Sequence, residues 1–207
     1  MKIINYFPRS ALFAIAVVVG LASCVMAPKA YKKPAKSPAV KTGKFWWGTS
    51  TSNYQNEDRG VAADSPNSFK TDWDVFAEEG HIPPRGDDAT FSWTHFDKDI
   101  AALKKLGVNH YRFGIEWARV APKPGVFNEE AIRQYVSMAR QLKEAGIDPV
   151  VNLWHFTFPD WLYDSKKKNR SNFLHPDVAK AWAEYVDRMA TALAPYVRTY
   201  VPQNEPN

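Results

Sequence analysis

The chain has 207 residues, a formal net charge of +5 and one cysteine, Cys24. Residues 1–44 hold eight Lys or Arg and no acid; removing those eight leaves −3 on residues 45–207, so no basic excess remains there to attract nucleic acid. A lone cysteine also excludes an intrachain disulfide framework.

In chain order, Lys2 and Arg9 precede an apolar run at 11–21, followed by Leu-Ala-Ser-Cys at 21–24. This is the charged, apolar, small-residue order of a secretory signal, and the run is shorter than the roughly 20 residues a membrane-spanning helix needs. Leu-Ala-Ser-Cys resembles the lipobox of bacterial lipoproteins. That resemblance implies a signal over 1–23, lipidation of Cys24, and a chain anchored to a bacterial membrane on the periplasmic or outer-membrane side of the envelope. An ordinary signal with an incidental cysteine is the alternative. Residues 24–43 are rich in Ala, Pro and Lys without an apolar period, which predicts an extended tether; its lysines suit anionic headgroups.

From residue 44 the period alternates between strand and helix. A first strand is expected at 45–50, then a long polar loop at 51–93 with a short helix at 73–79. Ile100, Leu103 and Leu106 mark a helix at 99–106 stopped by Gly107, and 108–117 reads as the second strand. Asn128 is a natural N-cap, and Ile132, Tyr135, Val136, Ala139 and Leu142 form a stripe that ends at Gly146. A third strand is expected at 147–155. Pro176 opens a helix carrying Val178, Trp182, Tyr185, Val186, Met189 and Leu193, which breaks at Pro195 before a fourth strand at 196–205. Such alternation calls for parallel strands with right-handed crossovers, in a doubly wound sheet or a barrel. No glycine-rich phosphate loop follows the first strand, which counts against a dinucleotide site. A whole barrel of this kind takes about 250 residues, so the four strand-helix units of 44–207 amount to its N-terminal half, with an exposed sheet edge to cover.

Side chains suited to chemistry gather at the expected strand ends: Gln55 and Glu57 after the first; Arg112, Glu116 and Trp117 on the second; Trp154, His155 and Phe156 on the third; Asn204 and Glu205 on the fourth. In a barrel these converge on one mouth. Amides, an imidazole, indoles and a carboxylate suit a sugar, whose hydroxyls need fixed partners and whose CH faces pack on rings. Taken singly, Gln55 reads as a solvated loop residue and His155 as a structural histidine. Arg112 could simply neutralise a buried carboxylate, Glu116 is read as structural, and Trp46, Trp47, Trp117 and Trp161 as core or rim.

Four motifs together are more specific. Phe-Trp-Trp-Gly-Thr-Ser-Thr-Ser-Asn-Tyr-Gln at 45–55, Tyr-Arg-Phe-Gly-Ile-Glu-Trp-Ala-Arg at 111–119, Leu-Trp-His-Phe at 153–156 and Asn-Glu-Pro at 204–206 resemble glycoside hydrolase family 1, the retaining β-glucosidases and β-galactosidases. The resemblance implies an α/β fold, the N-terminal half of a TIM (β/α)8 barrel over 44–207. It also implies hydrolysis of terminal β-linked sugars with no metal or organic cofactor. Glu205 would be the general acid/base and Asn204 would hold the sugar 2-hydroxyl. Gln55 and His155 would bind outer hydroxyls, and Arg112 would stand beside the nucleophile. A retaining mechanism needs a second carboxyl about 5 to 5.5 Å from the first. In the family this is a glutamate in a Thr-Glu-Asn-Gly-like segment, which this sequence lacks. The expectation is therefore an incomplete, inactive chain, with a sugar-binding envelope lipoprotein or one half of a split enzyme, completed by a second polypeptide, as alternatives. Gln203, Phe156 and Thr157 depart from the family pattern and bear on substrate preference among glucosides, galactosides and 6-phospho sugars.

Overall fold

The computed structural model describes residues 45–62, 65–84, 89–163 and 172–206, all within one compact unit, Lys44–Asn207. Cys24, the signal and the tether lie outside the described residues, as do Lys166, Lys167 and Lys168. No helix among the described residues is long and apolar enough to cross a membrane.

Four parallel strands form one sheet in the order β1-β2-β3-β4: β1 Gly48–Ser50, β2 His110–Gly114, β3 Asp148–Asn152 and β4 Thr199–Val201. Each pairs with its sequence neighbour through an intervening helix. A doubly wound sheet reverses its strand order at a switch point, and this one does not, so the arrangement is that of a partial barrel. The helices are α1 Asn53–Asn56, α2 Asp72–Glu78, α3 Phe96–Leu106, α4 Trp117–Val120, α5 Glu129–Glu144 and α6 Val178–Leu193. Short 3₁₀ turns at Asp160–Leu162 and Asn172–Leu174 follow β3.

The long helices form where their apolar stripes meet the sheet. On α5, Asn128 Oδ1 accepts from the amides of Glu130 and Ala131, both at 3.1 Å, which satisfies two of the free N–H groups of the first turn. Ile132, Tyr135, Met138, Ala139 and Leu142 are then buried together with Tyr185, Met189 and Leu193 of α6 and Phe113 and Val151 of the sheet. The Tyr185 hydroxyl donates to the Leu153 carbonyl at 2.8 Å and ties α6 to the chain just past β3.

Each strand is shorter than the sequence suggests, because the apolar runs extend past the stretch where a neighbour is in register. Phe45, Trp46 and Trp47 precede β1 and stay exposed. Trp47 is held by loop bonds instead, its carbonyl accepting from Asn109 and His110 at 2.8 and 3.2 Å. Trp46 stacks on His110 at 4.3 Å. Ladder pairing starts at Gly48, where a Cβ would come within 2.7 Å of the His110 carbonyl oxygen. Trp117 is not the end of β2; it opens the one-turn α4, and Glu116 caps that helix by accepting from Ala118 N at 3.3 Å. At β4, residues 196–198 belong to the turn off α6, with Tyr196 and Val197 donating to Leu193, and Pro202 has no N–H to continue the ladder.

Candidate active site

The carboxyl ends of the strands lie along one edge of the sheet. Arg112, on β2, sends Nη2 to Asn204 Oδ1 at 2.8 Å and Nη1 to Ser50 Oγ at 3.5 Å, so one guanidinium links the ends of β1 and β2 to the segment after β4. Asn204 N donates to the Trp154 carbonyl at 2.9 Å, which fastens that segment to the chain leaving β3. The half-buried His155 ring stands near enough to Arg112 and Glu205 for both to act on its charge. Burial first, then the Arg112 guanidinium, hold its pKa below the ordinary histidine value, and the Glu205 carboxylate opposes them. Burial and the arginine thus favour the neutral ring.

Glu205 itself is exposed, and its backbone has φ of +47°. Phe156 has φ of +72°. Both are in the left-handed region that disfavours side chains with a Cβ. Phe156 stacks nearly parallel on Trp73 of α2 at 6.1 Å and meets Trp154 edge-on at 5.9 Å, forming an aromatic rim beside His155.

Four of the five residues singled out around a sugar, Arg112, His155, Asn204 and Glu205, thus come together. Gln55 does not join them through hydrogen bonds: it lies exposed on α1, and its Oε1 accepts from Ser52 Oγ at 2.6 Å. Glu116 is buried below the mouth, where it accepts from Asn53 at 2.5 Å and from Thr157 at 3.0 and 3.1 Å. Desolvation raises its pKa against these hydrogen bonds and the nearby Arg119 charge. Glu57 is likewise structural. It accepts from the Tyr135 hydroxyl at 2.9 Å and from Arg119 Nε at 3.2 Å, while the Arg119 guanidinium lies over Trp93 and Phe69 at 3.8 and 4.4 Å. Among the described residues no group of three or more His, Cys, Asp or Glu side chains is placed to hold a metal ion.

Sequence reasoning missed Asn152 and Asn53. Asn152, fully buried at the end of β3, places Nδ2 2.9 Å from His155 Nδ1. Asn53 packs its amide against Gly114, where a Cβ would come within 2.2 Å of Asn53 Oδ1. A signal was available for the first: an asparagine inside the apolar run 147–153 has to find a buried partner.

The sequence profile of glycosyl hydrolase family 1 matches residues 39–207. The chain belongs to glycosyl hydrolase family 1. A bifunctional β-D-glucosidase/β-D-fucosidase of Bifidobacterium breve is 34% identical over 165 residues, which covers 78% of this chain and 35% of that protein. Beta-glucosidase 11 of Oryza sativa is 32% identical over 168 residues, covering 78% of this chain and 30% of that protein. Among solved structures, a β-glucosidase from Exiguobacterium marinum superposes with a TM-score of 0.69 at 30% identity, over 78% of this chain and 35% of the other. The chain thus spans about a third of the length of the family 1 proteins it matches, and the partial parallel barrel is the family's fold.

Proposed function

We propose that residues 45–206 carry the acid/base side of a retaining β-glycosidase site, acting on a terminal β-linked sugar in carbohydrate metabolism. The observation that supports this best is the Arg112–Asn204 bond of 2.8 Å, because it gathers the strand-two arginine and the Asn-Glu pair after β4 beside His155. In this reading Glu205 protonates the leaving oxygen and Asn204 holds the sugar 2-hydroxyl. His155 and Gln55 take outer hydroxyls, and Arg112 stands beside the position of an attacking carboxylate. Exposure fits Glu205 for reaching a leaving group, and a retaining mechanism pairs such a residue with a second carboxylate about 5 to 5.5 Å away.

In this reading the chain alone gives no glycosidase turnover. Hydrolysis of an aryl β-glucoside by the purified chain, abolished by Glu205→Gln, would overturn that expectation. Sugar binding without turnover is the second reading. It requires tryptophan fluorescence to respond to a monosaccharide. In a split enzyme, adding a second polypeptide that completes the barrel restores turnover.

We also propose attachment to a bacterial envelope membrane through lipid on Cys24, supported by Leu-Ala-Ser-Cys after an apolar run and a lysine-rich tether. Cys24→Ser should abolish incorporation of labelled fatty acid; labelling that survives the substitution refutes the anchor.

A further inference from the structure

Asn152 has an unusual placement. It is the last residue of β3 and fully buried, paired with Gly114 of β2 on one side and Val201 of β4 on the other. Its backbone is fixed, since its carbonyl accepts from Ile115 N at 3.0 Å. The chain beyond stays fastened: Leu153 N donates to the Val201 carbonyl at 3.0 Å, and the Trp154 carbonyl accepts from Asn204. The backbone around both Asn152 and His155 is thus pinned, and their side chains meet with Nδ2 2.9 Å from Nδ1.

The two ring nitrogens of a neutral histidine differ, and the partner of one decides the role of the other. An amide nitrogen carries only donors, so the Nδ1 it faces must be the bare acceptor. Turning the amide over would put its carbonyl on the ring and move Nδ2, with two N–H groups, to where Oδ1 now lies. Oδ1 has no protein partner there, so the turned amide would leave both of its N–H groups without a partner, whereas the present one keeps one of them bonded to the ring, the less costly arrangement. A protonated ring would set two donors against each other, so the contact disfavours the cation as well. Among the described residues His155 Nε2 has no hydrogen-bond partner.

We propose that Asn152 is a positioning residue that locks His155 as the Nε2–H tautomer, so that the ring meets a sugar hydroxyl only as a hydrogen-bond donor. The second half rests on His155 being a sugar-binding residue; the lock itself does not.

The test is two-bond ¹H–¹⁵N correlation spectroscopy of the full chain labelled with ¹⁵N-histidine, with the signal assigned by its loss in His155→Gln. The expected pattern has Nδ1 unprotonated and Nε2 protonated. Asn152→Ala should give a mixture of tautomers, and Asn152→Asp, which offers an acceptor, should move the proton to Nδ1. A wild-type ring protonated on Nδ1 overturns the proposal even if neither variant folds. An Asn152→Ala ring that stays wholly Nε2-protonated also overturns it. Titration with D-glucose then separates the two halves: movement of the Nε2 shift supports the donor role, and a locked ring indifferent to glucose overturns the sugar-binding half alone.

Discussion

At the scale of single residues, the most consequential buried acid away from the mouth is Asp72. It begins α2, accepts from the amides of Phe158 and Trp73 at 2.8 and 3.0 Å, and takes a bond from Asn172 Nδ2 at 2.5 Å. Desolvation outweighs those bonds, and the charge of Glu116 adds to it, so its pKa rises from 3.8 to about 7. Between these values the folded chain keeps a proton that the unfolded chain has released, so stability falls as pH rises through that window. The expected loss in urea unfolding from pH 5 to pH 8 is on the order of a few kcal/mol. Asp72→Asn keeps an acceptor for Phe158 and should flatten the slope; an unchanged slope would assign the loss elsewhere. The Glu57–Arg119 pair makes a second test. Arg119→Met leaves Glu57 buried without its guanidinium and should cost about 3 to 5 kcal/mol of unfolding free energy. Glu57→Gln with Arg119→Met should recover much of that loss, because no charge is then stranded.

At the scale of elements, Asn128→Ala removes the acceptor for two amides of α5 and should cost about 1 kcal/mol, read as a lower urea midpoint with unchanged slope. Tyr185→Phe should cost a similar amount, since the Leu153 carbonyl loses its donor inside the core. The helices were the legible part of this chain. Asn128, the stripe from Ile132 to Leu142 and the stop at Gly146 are local signals, and α5 lies within two residues of its expected bounds. Strand lengths were not legible, because a strand ends where its neighbour's register ends. Nothing in the stretch 108–117 says that Gly114 is the last residue opposite Asn152. The gathering of Arg112, His155, Asn204 and Glu205 near one another was legible from the four motifs that hold them. The site was opaque where contacts cross between elements: Asn53 on Glu116 spans 63 residues, and Asn152 draws attention only once its partner is seen.

At the scale of the whole molecule, β1 and β4 each have one strand neighbour among the described residues, so the other side of each has no strand partner among them. Phe45, Trp46 and Trp47 are exposed just before β1. Edges and apolar surface of this kind template association. The purified chain is expected to show a light-scattering mass that grows with concentration, and Trp46→Lys with Trp47→Lys should reduce the growth. A mass fixed at one chain over a hundredfold range of concentration would mean that other parts of the chain cover those edges.

The left-handed backbone at Phe156 and Glu205 has a consequence for how this chain would change under selection. A residue with a Cβ at such a φ costs on the order of 1 to 2 kcal/mol relative to glycine, so folding alone favours glycine at both positions. In a library randomised at 156 and 205 and sorted only for resistance to proteolysis, glycine and asparagine should rise in frequency while phenylalanine and glutamate decline. Sorted instead for capture on an immobilised sugar, the library should retain the original pair. The two enrichment profiles would then measure, position by position, how far local stability and the mouth of the barrel pull in opposite directions.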